Sequence, residues 1–311
     1  MARYLVTGGA GFIGAHLVEE LLKRGEEVRV LDNFSTGKRE RLDPFVEKIE
    51  LVEGDLRSQH AVREAVDGID FVFHQGALPS VSRSVKDPIT TNDVNVGGTL
   101  NVLDAAKEAD VKRVVYASSS SVYGANEAIP QREDMMPEPI SPYAVAKLTG
   151  EKYCHVFSRT YGLETVTLRY FNVFGPRMDP ASAYAAFIPI FIVGMLEGRP
   201  LIVNGDGSIS RDFTYITNVV EANMRAMEAD GVAGEVFNVA CGDSMSLNDI
   251  IDRLRELLGT EGDISYGPPR VGDVPLSLAD VSKAREQLGY VPRVPVSEGL
   301  ERTVLWYRKE K

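Results

Sequence analysis

Short apolar runs recur through the first half of the chain, at residues 4–7, 27–32, 49–54, 71–74, 113–118 and 165–170. Helical stretches separate them, the first over residues 12–24. Apolar runs of strand length in alternation with helices predict an α/β fold with a parallel sheet covered on both faces. After Tyr170 the rhythm changes. Residues 171–184 are rich in Gly, Pro, Asn and Asp. Helices are then expected over 185–197, 219–228, 247–258, 281–288 and 297–309, with a strand at 201–203. Residues 266–275 are Pro/Gly-rich and read as an ordered loop. No repeat, low-complexity tract or flexible linker interrupts the chain, so the second part is expected to dock tightly on the first, with a ligand cleft between them.

Composition narrows the function classes. The 311 residues are 44% hydrophobic, enough for a sizeable core or two cores in one chain. The net charge of −11 comes with no visible basic face, which argues against a nucleic-acid partner. It does not exclude a phosphorylated ligand held by helix N-termini and a few arginines. The two cysteines, Cys154 and Cys241, make neither a disulfide framework nor a metal-ligand spacing, so both are expected to be ordinary thiols and no metal is expected. No signal-peptide pattern and no run able to span a bilayer is seen, so a cytoplasmic protein without a membrane partner is expected.

The first strand runs into Thr7-Gly-Gly-Ala-Gly-Phe-Ile-Gly14 and then a helix. Gly8, Gly11 and Gly14 allow a sharp turn and the close approach of a pyrophosphate to the backbone, while the helix N-terminus supplies N–H donors. Asp32, at the end of the second strand, can accept from the adenosine ribose hydroxyls and would repel a 2′-phosphate, so NAD is expected rather than NADP. The fold class is therefore α/β: a Rossmann doubly wound parallel sheet with a smaller α/β substrate-binding C-terminal domain. The boundaries expected are 1–171 for the NAD-binding domain, with 207–238 returning to it, and 172–206 plus 239–311 for the other. Asp55 and Leu56, after the third strand, either contact the adenine or simply begin the next helix.

Two further motifs carry chemistry. Ser141-Pro-Tyr-Ala-Val-Ala-Lys147 opens a helix and puts Tyr143 and Lys147 on one face. The ammonium is expected to lower the tyrosine pKa and make Tyr143 a usable base, with a nicotinamide's positive charge acting in the same sense. The strand at 113–118 exits through a run of serines ending at Ser121, where ligands bind in open α/β sheets.

These motifs, with Arg169-Tyr-Phe-Asn-Val-Phe-Gly-Pro176, resemble the extended short-chain dehydrogenase/reductases and, among them, the UDP-sugar 4-epimerases. The resemblance spans nearly the whole chain. It implies Ser119 as the catalytic serine, Tyr143 as the base and Lys147 as its partner. It places Phe12, Ile13, Asn33, Asp55, Leu56, Gln75, Ala77, Asn95 and Tyr170 along the cofactor, beside the glycines and Asp32. Asn172, Arg211, Arg270 and Asp273 are implied as contacts to the diphosphate and uridine, and Ser80, Ser120, Ser121 and Ala186 as neighbours of the sugar. A UDP-sugar substrate and a homodimer, through helices near 94–107 and 143–159, are implied by the same likeness.

The resemblance also separates reactions. Related dehydratases carry an Asp-Glu pair just after the catalytic serine, and related decarboxylases usually a Glu. Here those positions are Ser120 and Ser121. Epimerisation needs only a proton relay and a hydride acceptor, and neither is missing. Ser277 aligns with the position that gates substrate size in these epimerases: a tyrosine there restricts the site to plain hexoses, and a small residue leaves room for an N-acetyl group. Substrates expected are therefore the N-acetylated pair as well as UDP-glucose and UDP-galactose. The competing readings are an epimerase restricted to plain hexoses, a net nucleotide-sugar oxidoreductase, and an NAD-binding sensor without turnover.

Overall fold

Seven parallel strands form the centre of the protein, a computed structural model of which describes residues 1–180, 187–268 and 276–310. In chain order the elements of the first half are β1 (Arg3–Thr7), α1 (Phe12–Lys23), β2 (Glu27–Asp32), β3 (Ile49–Glu53), α2 (Gln59–Val66), β4 (Phe71–His74), α3 (Val81–Lys86), α4 (Pro88–Asn92), α5 (Gly98–Glu108), β5 (Arg113–Ser119), α6 (Pro142–Val156) and β6 (Glu164–Tyr170). There follow β7 (Val173–Phe174), α7 (Phe187–Glu197), β8 (Leu201–Asn204), β9 (Ser210–Arg211), β10 (Thr214–Tyr215), α8 (Ile216–Glu228), β11 (Val236–Val239), β12 (Met245–Ser246), α9 (Leu247–Leu258), β13 (Ile264–Gly267), β14 (Leu276–Ser277), α10 (Ser282–Leu288) and α11 (Val296–Lys309).

The sheet order is β3-β2-β1-β4-β5-β6-β11. The chain reverses its direction of travel across the sheet between β1 and β4, so the crevice outside their C-terminal ends is the expected ligand site. One face of the sheet is covered by α2, α5 and α6 around Val62, Val102, Leu103 and Phe157. The other is covered by α1 and α8, and this core runs without a break into α7, α9 and α11. That continuity is why no linker is needed between the two parts.

Two strand arginines fix the outer helices. Arg113 on β5 donates from Nη1 to the carbonyls of Ala226, Met227 and Ala229 at the end of α8, at 2.7–3.0 Å, and pairs with Glu164. Arg29 on β2 does the same for the carbonyls of Glu64, Ala65 and Asp67 at the end of α2. Guanidiniums thus meet carbonyls that a helix C-terminus leaves without partners.

The sequence pattern placed the first six sheet strands to within a residue or so, and missed the seventh. Val236–Val239 pairs in parallel with β6 and completes the sheet. Ser210–Arg211 pair with β12 and β14 in a separate small sheet. Tyr266 and Gly267 are not loop: they pair in parallel with Val203 and Asn204, since the open edge of β8 offers backbone partners. The rest of that expected loop, residues 269–275, lies outside the described residues.

Helix α6 crosses β5 closely because Gly150 faces Tyr116. A Cβ at Gly150 would stand 2.2 Å from the Tyr116 hydroxyl oxygen, and both groups are buried. Gly150→Ala is therefore expected to destabilise the protein by about 1–3 kcal/mol through overpacking. A denaturant midpoint equal to the wild type would show that α6 can shift freely.

Candidate active site

The glycine loop packs against the loop after β4. Gly8 has φ +68°, and a Cβ there would lie 2.7 Å from the Gly76 Cα; a Cβ on Gly14 would lie 2.2 Å from the Gly8 oxygen. Helix α1 starts at Gly11 with no side-chain cap. Its first-turn N–H groups are thus left for an anion, at the positive end of the helix dipole.

One cleft runs along this turn. Gly8, Gly11, Phe12, Ile13, Gly14, Asp32, Asn33, Asp55, Leu56, Gln75, Ala77, Tyr143, Lys147 and Tyr170 all line it. Asp32 is buried, which pushes its carboxyl up. The backbone N–H groups of Phe34 (2.8 Å) and Ala10 (2.9 Å) act against this and tie it to the glycine loop. Asp55 is held down at about 2, first by its bonds to Arg57 and also by Asn33, so it stays ionised at the cleft. It does not start the next helix: Ser58 caps α2.

Asn95 is the exception among the expected cofactor residues. Its amide is buried, accepts from Leu78 N at 2.7 Å and donates to Leu78 O at 3.0 Å. Both polar ends are thus spent on shaping the loop after β4 from behind, and Asn95 does not line the cleft. The residues that sequence reasoning missed are mostly backbone or distant in the chain. Met178 and Asp179 form part of the outer wall, held by the ion pair of Asp179 with Lys38 (3.1 Å) and by Arg41 Nε donating to the Arg177 carbonyl. Asn223 of α8, fully buried, accepts from Tyr170 (2.9 Å) and Gln75 (3.2 Å) and so sets two cleft residues at once. A polar residue on an otherwise apolar helix face was the signal available for it.

The relay residues meet at the C-terminal end of β5. The Ser119 hydroxyl lies beside the Tyr143 phenol and accepts from Ser121 N at 3.2 Å. Lys147 Nζ donates to the Ala117 carbonyl at 2.7 Å and lies 5.9 Å from the centre of the Tyr143 ring. Burial drives the pKa values in ways the spacing alone did not suggest. Tyr143 is pushed up to about 12 by burial, against the Ser119 hydrogen bond, and Lys147 is pushed down to about 8 by burial, against Cys154 and Glu151. Burial therefore leaves Tyr143 less acidic than a free tyrosine, opposite to the lowering expected from Lys147.

The expected substrate residues lie beyond the relay. Ser277 on β14 stands in register with Arg211 on β9. Asn172, at φ 30°, donates to the Asp212 carbonyl at 3.0 Å. Ser80 caps α3, and the buried Ser121 Oγ has no hydrogen-bond partner among the described residues, while Ser120 begins the turn after β5. Ala186, Arg270 and Asp273 lie outside the described residues. Cys154 is buried and Cys241 partly so, and both are free thiols. Among the described residues no helix is long and apolar enough to cross a membrane.

Topology, uncapped helix and relay together define a dinucleotide-dependent enzyme of the short-chain dehydrogenase type, and the residues of the cleft fit NAD. Residues 4–240 match the NAD dependent epimerase/dehydratase family, and the chain belongs to that family. It is similar to the UDP-glucose 4-epimerase of Thermotoga maritima solved with UDP-glucose (39% identity, 99% of each chain, TM-score 0.94). The UDP-N-acetylglucosamine 4-epimerase of Methanobrevibacter ruminantium, solved with UDP-N-acetylmuramic acid, matches at 39% identity over 100% of this chain and 99% of its own, TM-score 0.95. The UDP-glucose 4-epimerase of Thermus thermophilus, solved with NAD, matches at 37% identity over 98% and 99%, TM-score 0.90.

Tyr143→Phe keeps the ring and removes the hydroxyl expected to accept the proton. It is expected to lower kcat by about 10²–10⁴-fold while leaving NAD content and the folded state nearly unchanged. Turnover close to wild type in this variant would remove Tyr143 from the reaction.

Proposed function

We propose that this NAD-dependent UDP-sugar 4-epimerase interconverts UDP-N-acetylglucosamine and UDP-N-acetylgalactosamine and also turns over UDP-glucose and UDP-galactose. The observation that carries the reaction is that Tyr143 and Lys147 both line the cofactor cleft, with Ser119 beside Tyr143. Tyr143 takes the proton of the sugar 4-hydroxyl, Ser119 orients that hydroxyl, and the Lys147 ammonium stabilises the phenolate. When bound, NAD supplies a reversible hydride acceptor for C4. The 4-keto sugar turns within the pocket, and Tyr143 returns its proton to the new 4-hydroxyl. Ser120 and Ser121 carry no acid to eliminate water, which separates the reaction from dehydration.

Asn172, Arg211, Arg270 and Asp273 bind the diphosphate and uridine, with Ser80, Ser120, Ser121 and Ala186 beside the sugar. What supports the N-acetylated substrates is Ser277: its small side chain stands next to Arg211, on the strand that would otherwise carry the tyrosine gate. A homodimer is part of the same reading. Val85 and Ile89, on α3 and α4, are 64% and 74% exposed and sit on helices packed beside α6, where Val145 and Val156 are exposed too.

NAD is expected to leave the purified protein only on denaturation, and all four sugars to be turned over without added cofactor. Ser277→Tyr should abolish turnover of the N-acetylated pair and spare the plain hexoses, because steric exclusion exceeds the 1–3 kcal/mol or so of a lost methylene contact. The measurement is kcat/KM for both pairs in both proteins; equal loss of both pairs would show that Ser277 is not the gate. Sedimentation velocity should find a dimer that Ile89→Lys with Val145→Asp converts to monomer. A monomeric wild type would overturn the assembly.

A further inference from the structure

Helix α6 carries a third polar residue on the face that bears Tyr143 and Lys147. Glu151 follows Lys147 by one helical turn and is 3% exposed. Its Oε1 accepts from the Ser118 hydroxyl at 2.5 Å and from Arg169 Nε at 2.9 Å, and its Oε2 accepts from Arg169 Nη2 at 2.8 Å. The end of β5 therefore meets two successive turns of α6: Ala117 accepts from Lys147, Ser118 donates to Glu151, and Ser119 lies beside Tyr143.

A buried ion pair is a poor source of stability, since apolar residues of the same volume often do as well or better. The carboxylate lies where it affects chemistry instead. The titratable groups facing Lys147 are Tyr143, Glu151 and Cys154 of its own helix, Tyr116 of β5 and His74 of β4, with Arg169 of β6 behind Glu151. Tyr116, Cys154 and His74 are buried, and burial pushes each towards its neutral form. Glu151 is the carboxyl group of this set, paired to Arg169 at 2.8 Å.

We infer that Glu151 is a positioning residue for the proton relay: its carboxylate holds the end of β5 through Ser118, one helical turn from Lys147. Arg169 supports it by fixing the carboxylate with two hydrogen bonds, from Nε and Nη2. The inference rests on the reading of Tyr143 and Lys147 as the relay.

The sign of the effect follows from the charges. Burial lowers the Lys147 pKa, and Cys154 and Glu151 both act against it, so removing the Glu151 carboxylate lets Lys147 lose its proton at a lower pH. In Glu151→Gln the alkaline limb of kcat is expected to move down by about one pH unit, so that kcat well above the limb falls about tenfold relative to wild type. NAD content and the KM for the UDP-sugar are expected to stay near the wild-type values. Glu151→Asp, which restores the charge, should bring the limb back towards wild type.

The experiment is kcat and KM against pH on the NAD-loaded proteins, with NAD content and circular dichroism measured on each. An unshifted limb in folded Glu151→Gln, or a limb not restored in Glu151→Asp, overturns the inference. If Glu151→Gln does not fold because Arg169 is left buried without its partner, Glu151→Gln combined with Arg169→Gln takes its place. That protein is expected to show a smaller shift in the same direction, and no shift overturns the inference equally. Undiminished turnover in Tyr143→Phe would instead remove the relay itself, and the two failures are told apart by that control.

Discussion

Everything at this site depends on how closely the chain passes itself between β1 and α1. At Gly8 and Gly14 there is no space for even one more carbon: the neighbours are the Gly76 backbone and the Gly8 carbonyl. That approach draws the loop after β4 against the loop after β1 at the point where the sheet order reverses. It also brings the uncapped start of α1 to the floor of the crevice. Asp32 then reaches back to the same loop through Ala10 N, so the glycine-loop end and the Asp32 end of the cleft are set by one connected piece of backbone.

The reacting end is set by a second close approach, that of α6 on β5. The absence of a side chain at Gly150 lets the helix come down on Tyr116, and Ala117 and Ser118 then bond to Lys147 and Glu151 while Ser119 lies beside Tyr143. The result is a largely buried corner. Burial raises the Tyr143 pKa and lowers that of Lys147, which is the reverse of what a reactive pair needs in isolation. The corner is therefore arranged for charge supplied by its surroundings, and Glu151 with Arg169 is the part of those surroundings that the chain itself provides.

Local patterns carried most of the fold. The first strand, its glycine turn and the first helix were legible because turn chemistry and apolar runs agree over a few residues, and the Tyr143–Lys147 spacing was legible because a helix imposes it. Four residues of β11 were not, since a run that short with a buried Asn238 at its centre resembles any loop. Pairwise features across the chain were invisible for a different reason. Asn223 beneath Tyr170, and Asp179 closing the cleft onto Lys38, depend on elements that meet only after folding. Asn95 shows the reverse error: the motif was read correctly, but the amide turns to Leu78 and shapes the cleft without facing it.

The central claim is that one hydride leaves sugar C4 and comes back to the same carbon without leaving the protein. Its most direct test uses UDP-N-acetylglucosamine deuterated at C4, turned over by the purified protein with no added cofactor, with the product analysed by mass spectrometry and NMR. The account predicts a product that keeps its deuterium at C4, with none passed to solvent or to unlabelled NADH added as a trap. Loss of the label to either pool, with turnover intact, would contradict it.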